Sequence, residues 1–222
     1  MTTTAPVLRA RFWRSRRSAA IAGIVFGVLL LVALTMLRLG LSNSSLQVFQ
    51  SDAQKRTLIR LSISLVPFVG IAFLWFIGVI REQIGEVEDR LFSTVFLGSG
   101  LLFLAMLFVG AVTMTSLMEM LAGQNVNVEV YDFGRSLTRM LVSGYAMRMA
   151  AVFTLSVSTL GLRTAGLPRW VCYLGYLVAL VLLVAAGDQQ WTQLVFPAWV
   201  LLVGVVILVV RPPGPGPAPP RP

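Results

Sequence analysis

Long uninterrupted apolar runs, such as residues 21–34 and 194–210, constrain this chain more than any other feature. In lipid, every backbone N–H and C=O must be paired within a helix or in a closed barrel. Barrel strands alternate apolar and polar residues, and these runs do not. Only 12% of the residues are charged, against about a quarter in soluble domains, so water cannot solvate the remaining surface. The sequence therefore predicts an all-α integral membrane protein.

Charged residues divide the apolar sequence into six predicted transmembrane helices, at about 20 residues for each crossing. The predicted spans are residues 19–37, 58–80, 91–117, 137–160, 170–186 and 191–210. Because the connections are short, we expect one six-helix bundle over residues 19–210. A basic tail (1–18) precedes it, and a proline-rich tail (211–222) follows it. Proline cannot continue a helix, so the second tail is expected to be extended and disordered.

The distribution of Lys and Arg predicts the orientation. With the N-terminus in the cytoplasm, eleven of the 18 basic residues lie inside, six lie outside and Arg148 lies within the membrane. The positive-inside rule therefore favours an N-in/C-in bundle. Arginine outnumbers lysine seventeen to one, which is typical of GC-rich bacterial genomes, so we expect a multi-pass protein of the bacterial inner membrane, the cell membrane.

Residues typical of catalytic and metal sites are scarce. The chain has no histidine, and its one cysteine, Cys172, lies in an apolar run. The only acidic cluster, within residues 82–89, lacks a second acidic segment to complete a cation site. The net charge of +9 comes from scattered arginines without a motif that reads a nucleic-acid groove. We therefore expect no catalytic residue, metal, cofactor or nucleic-acid partner.

Arg148 lies about eleven residues into the fourth predicted span, about 16 Å deep at 1.5 Å per residue. An arginine at this depth costs at least ~2.5 kcal/mol to insert and usually faces protein. Two interpretations stay open: a site for an anion on a permeation path, or a structural arginine that binds carbonyls and locks two helices together. The candidate partners of its guanidinium are the Tyr145 ring one turn earlier and, in span two, Ser62, Ser64 and the Ile63 carbonyl that Pro67 leaves unpaired.

Two further patterns predict contacts between helices. Glu119, near the outer end of span three, matches the depth of Arg139 at the start of span four, which predicts an ion pair. Small residues on one helix face let two helices approach closely. The candidate packing residues are Gly23 and Gly27 in span one, Gly98 and Gly100 in span three, and Ala146 and Ala150 in span four.

Residues 123–134 differ from the spans because valines at 126, 128 and 130 alternate with polar residues. Alternation of this kind predicts a strand-like segment or a small lid on the outer face.

Three function classes remain, each with the lipid bilayer as solvent. The first is a non-catalytic scaffold or membrane-complex subunit, which binds a membrane-protein partner or forms a homo-oligomer. The second is a small transporter or channel for an anionic small molecule or lipid headgroup, centred on Arg148. The third is an intramembrane enzyme, for which the sequence supplies no nucleophile–base pair.

Overall fold

The computed structural model describes residues 5–42, 45–84, 90–122, 127–164, 167–186 and 191–209. Over these residues the chain is helical and contains no strand, which confirms the all-α prediction. The helices are α1 (Ala5–Leu41), α2 (Leu46–Ser51), α3 (Ala53–Ile84), α4 (Arg90–Ala122), α5 (Val128–Arg139), α6 (Met147–Arg163), α7 (Arg169–Ala185) and α8 (Val195–Val209). A π-helical segment (Met140–Ala146) joins α5 to α6, and a 3-10 turn (Thr192–Leu194) precedes α8.

Five helical segments of the described chain are long and apolar enough to cross a membrane. They are Ala20–Leu41, Ala53–Arg81, Ser93–Ala122, Val128–Arg163 and Thr192–Val209. The fifth predicted span, residues 170–186, corresponds to α7, an apolar helix of 17 residues. At 1.5 Å per residue, α7 is about 25 Å long, a little less than the ~30 Å hydrocarbon core.

Neighbouring helices run antiparallel in the order α1, α3, α4, α5 with α6, α7 and α8, and α8 packs back against α1. The contact between Gly204 of α8 and Ile24 of α1 places the start of the apolar part of α1 beside the end of α8. We call this end of the bundle, with residues 81–84, 90–93, 160–164 and 167–169, the tail end. The opposite end, where α1, α4 and α7 terminate, is the cap end (residues 38–42, 45–60, 117–122, 127–139, 186 and 191–193).

The strand-like prediction for residues 123–134 is wrong over residues 128–134, which belong to α5. The Asn127 side chain accepts a hydrogen bond from the Glu129 amide at 3.3 Å and so caps the start of this helix. Tyr131, Gly134 and Thr138 are buried at helical spacing, whereas Val128 and Val130 are exposed. Burial at the cap end therefore outweighs the alternating pattern. The first residues of the predicted lid, 123–126, lie outside the described part of the chain.

The predicted tails have different outcomes. α1 begins at Ala5, so most of the basic segment 1–18 has a helical backbone. Arginine and alanine are good helix formers, which fits this extension of the first span. The proline-rich tail, residues 211–222, lies outside the described residues.

The centre of the bundle is filled by seven buried phenylalanine rings with centroids 4.6–6.4 Å apart. The rings come from five helices and form the phenylalanine core: Phe26 (α1), Phe73 and Phe76 (α3), Phe96 and Phe103 (α4), Phe153 (α6) and Phe196 (α8). Tilted and edge-to-face pairs of this kind are favourable beyond the area they bury. The rings close the middle of the bundle.

Candidate functional site at the cap end

Arg148 lies in the first turn of α6, directly after the π-helical segment. Its Nη2 donates a hydrogen bond to the Ala186 carbonyl at 3.3 Å, and its guanidinium carbon lies 5.8 Å from the centre of the Tyr145 ring. Ala186 is the C-cap residue of α7. The last carbonyls of a helix lack internal partners and carry the negative end of its dipole. Arg148 therefore stabilises the end of α7 and joins α6 to α7.

The predicted partners of Arg148 in span two lie elsewhere. The Ser62 hydroxyl donates to the Ala33 carbonyl of α1 at 2.8 Å, and the Ser64 hydroxyl donates to the Arg60 carbonyl of its own helix at 2.9 Å. Pro67 is exposed. α3 packs mainly between α1 and α4, whereas Arg148 faces α7, so the fold separates these residues from the guanidinium.

Glu119 and Arg139 lie on α4 and α5, and both side chains are exposed. The structure, which describes both residues, contains no hydrogen bond or ion pair between them. Their pairing stays a prediction.

Two basic residues at the cap end stabilise the end of α1. Arg135 of α5 donates from Nη2 to the Leu41 carbonyl at 2.9 Å. Lys55 of α3 donates from Nζ to the Ser42 carbonyl at 3.1 Å. Both carbonyls belong to the orphan groups at the carboxyl end of α1. A cation at this position is further stabilised by the negative end of the helix dipole.

Arg56 plays the same part at the end of α2. Its Nη1 contacts the Phe49 carbonyl at 3.4 Å and the Gln50 carbonyl. Sequence reasoning counted these cap-end cations for the orientation of the protein and missed their role as carbonyl ligands. The detectable signal for Lys55 and Arg56 was their position in the first turn of α3, at the end of the bundle where other helices terminate. Arg135 lies in the second half of α5 and gave no such signal.

Two more contacts connect the cap end to the start of α8. The guanidinium carbon of Arg38 lies 3.4 Å from the centre of the Trp191 ring, a cation–π contact. The Ser143 hydroxyl, within the π-helical segment, donates to Oε1 of the buried Gln193 at 2.7 Å. A π-helical segment is rare and often marks a functional position. Here the segment supplies Ser143, which binds the 3-10 turn that precedes α8.

Five of the six candidate packing residues lie against other helices or in the interior. An added Cβ would lie within 3.0 Å of another side chain at Gly23, Gly27 and Gly100, and Ala146 and Ala150 have no exposed surface. A Cβ added at Gly98, by contrast, would meet no other side chain within 4 Å.

The described residues contain no group of three His, Cys, Asp or Glu side chains that could hold a metal ion. Comparisons with protein-family models, with curated proteins and with solved structures find no match for this chain. The proposed function therefore rests on the geometry of the bundle.

Proposed function

We propose that this chain is a six-span protein of the cell membrane that acts without catalysis, as a scaffold or a subunit of a membrane complex. The observation that carries the proposal is the phenylalanine core, which fills the centre of the bundle with apolar rings. A permeation path for an anion requires polar groups or water along the bundle. A closely packed apolar centre is compatible with a scaffold that holds other proteins in place.

The partners of the cap-end cations favour the same function. Arg148, Arg135, Lys55 and Arg56 donate to carbonyls at helix ends. In those hydrogen bonds, the positive charge of each side chain stabilises carbonyl groups of the protein itself. The intramembrane charge that suggested an anion site therefore has a structural role, as a ligand of helix-end carbonyls.

The antiparallel order supports six crossings with both chain ends in the cytoplasm. α6 and α8 both run towards the tail end, so α7 must return the chain to the cap end between them. α1 starts and α8 ends at the tail end, which also carries Arg81, Arg163 and Arg169. The positive-inside rule then favours the tail end in the cytoplasm.

Cysteine labelling tests this topology, because the one native cysteine, Cys172, is buried. In a Cys172→Ala background, we expect Gln47→Cys at the cap end to react with a membrane-impermeant maleimide in spheroplasts of a bacterial host. Thr164→Cys at the tail end should react only after permeabilisation. Both positions are exposed, so both cysteines should react with the maleimide when the protein is in detergent, which controls for their intrinsic reactivity. Labelling of Thr164→Cys in sealed spheroplasts would contradict the proposed orientation.

Purification in a mild detergent tests the function. We expect a stoichiometric protein partner or a defined homo-oligomer, and a melting temperature that does not respond to phosphate. Arg148→Leu should lower the free energy of unfolding by about 1–2 kcal/mol, since a hydrogen bond to a charged group contributes ~1.5–3 kcal/mol and this one is partly exposed. The exposed Arg81→Leu, at the tail end, is the control and should change little.

The opposite result identifies the transporter. A monodisperse monomer that is stabilised by phosphate, with the stabilisation abolished in Arg148→Gln, would overturn the scaffold proposal.

A further inference from the structure

An apolar cleft lies between α1, α3, α4 and the start of the fourth span. On both α1 and α3 it extends over eight residues, or about 10 Å at 1.5 Å per residue. It is lined by Leu30, Ala33, Leu34 and Leu37 of α1, Ser62, Ile63, Val66 and Val69 of α3, Leu107, Gly110, Ala111 and Met114 of α4, and Thr138 and Val142.

The two hydroxyl groups in the lining are already paired. Ser62 donates to the Ala33 carbonyl at 2.8 Å, and Thr138 donates to the Gly134 carbonyl at 2.9 Å. Their donor hydrogens are therefore not available to a polar ligand. The cleft consequently suits a hydrocarbon better than a polar solute.

Four lining residues keep part of their surface exposed, namely Leu37 of α1, Ile63 and Val66 of α3, and Ala111 of α4. Three of the four lie on α3 and α4, so the cleft opens mainly on that side. Towards the tail end, the lining residue Val69 belongs to the same buried cluster as Phe73 and Phe103 of the phenylalanine core, which closes the cleft there. Towards the cap end, Ile59 and Met114 belong to one buried cluster and close it again. The mouth therefore faces sideways, towards the bilayer.

Two cations flank the cleft on its cap-end side. Arg139 directly follows the lining residue Thr138, and Arg60 precedes the lining residue Ile63 by one helical turn. Both side chains are exposed, and neither takes part in the carbonyl contacts that occupy Lys55, Arg56 and Arg135. Because neither guanidinium group has a hydrogen bond or ion pair among the described residues, both are available to an anion at the cap end.

We propose that this cleft binds one acyl chain of an anionic phospholipid from the leaflet at the cap end, with the phosphate at the level of Arg60 and Arg139. A partner helix, ~10 Å across, is too wide for a slot between four packed helices. An acyl chain is narrow, and because it leaves the hydrocarbon of the bilayer for the cleft, close packing against the lining retains it in place of transfer from water. The inference requires only that the bundle is embedded in lipid and does not depend on the scaffold function.

Native mass spectrometry of the protein released from nanodiscs tests the site. In nanodiscs of phosphatidylglycerol and phosphatidylcholine, we expect one retained phosphatidylglycerol per chain. Ala111→Phe fills the mouth with an aromatic ring and should abolish retention of the lipid. Ala105→Phe adds the same ring to an exposed position of α4 outside the cleft and should retain the lipid.

A second pair of variants tests the headgroup without changing the cleft. Arg60→Gln with Arg139→Gln should reduce the preference for phosphatidylglycerol over phosphatidylcholine about fivefold for each arginine removed. Arg81→Gln with Arg169→Gln removes the same charge from the tail end and should leave the preference unchanged. No retained lipid in the wild-type protein, or equal retention in Ala111→Phe and Ala105→Phe, would overturn the proposal.

Discussion

Phe153→Ala is expected to lower the free energy of unfolding by about 2–4 kcal/mol. The ring of Phe153 contacts those of Phe73 and Phe96 at centroid distances of 5.2 and 5.0 Å, and those of Phe76 and Phe196 at 6.4 Å. In a bilayer the unfolded helices remain in lipid, so packing supplies the stabilisation in place of transfer from water. A cavity on the order of 100 Å³ costs about 2.4 kcal/mol, and the lost ring pairs add to it.

The matched control for this prediction is Phe133→Ala. Phe133 is 69% exposed on α5, so its removal leaves no internal cavity and should change stability by less than about 0.5 kcal/mol. Unfolding of both variants in mixed detergent micelles, with helix content as the signal, measures the difference. If the two variants are equally stable, the rings do not form a packed core.

Prediction from sequence was most successful where the solvent dictates the structure. The apolar runs had to be helices, because lipid tails offer no hydrogen-bond partner to backbone N–H and C=O groups. The described residues confirm that these runs are helical. α2 and α5 were missed because their short, mixed sequences give no long apolar run. The role of α5 depends on Tyr131, which is buried against Phe49 at a ring distance of 5.6 Å. That contact joins residues far apart in the chain.

The phenylalanine core was not predictable for a related reason. In an amphipathic helix the polar face shows which side is buried, but a helix such as α4 is apolar all round. Nothing in the sequence near Phe103 distinguishes the buried ring from exposed neighbours such as Leu102. The interior of a membrane bundle is therefore identified by packing and not by hydrophobicity.

The partner of Arg148 could not be predicted from the sequence. A π-helical turn holds more residues than an α-helical turn, so Met140–Ala146 changes which face of α6 meets each neighbour. Because α-helical spacing over the whole span misses this change, it does not place the guanidinium beside α7. In the structure the acceptor is the backbone carbonyl of Ala186.

The junction of α6, α7 and α8 contains the closest helix contact of α7. A Cβ added to Gly175 would lie 2.0 Å from the Ser158 hydroxyl oxygen and 3.0 Å from Cζ2 of Trp199. The Ser158 hydroxyl and the Trp199 indole nitrogen are both buried, and neither has a hydrogen-bond partner in the described structure. The absence of a side chain at Gly175 thus allows three helices to meet at the cost of two unpaired polar groups.

Gly175→Ala is therefore expected to lower the free energy of unfolding by about 1–3 kcal/mol, the usual cost of overpacking. Rotation of the Ser158 hydroxyl relieves the first clash but not the contact with the fixed Trp199 ring, so Gly175→Ala with Ser158→Ala should recover only part of the loss. Gly78→Ala is the control, because a Cβ at Gly78 meets nothing within 4 Å, and should be neutral or more stable by up to about 1 kcal/mol. Equal stability of the Gly175 and Gly78 variants would show that α7 can move away from α6 and α8 without loss, which would remove the evidence that α7 is tightly packed in the bundle.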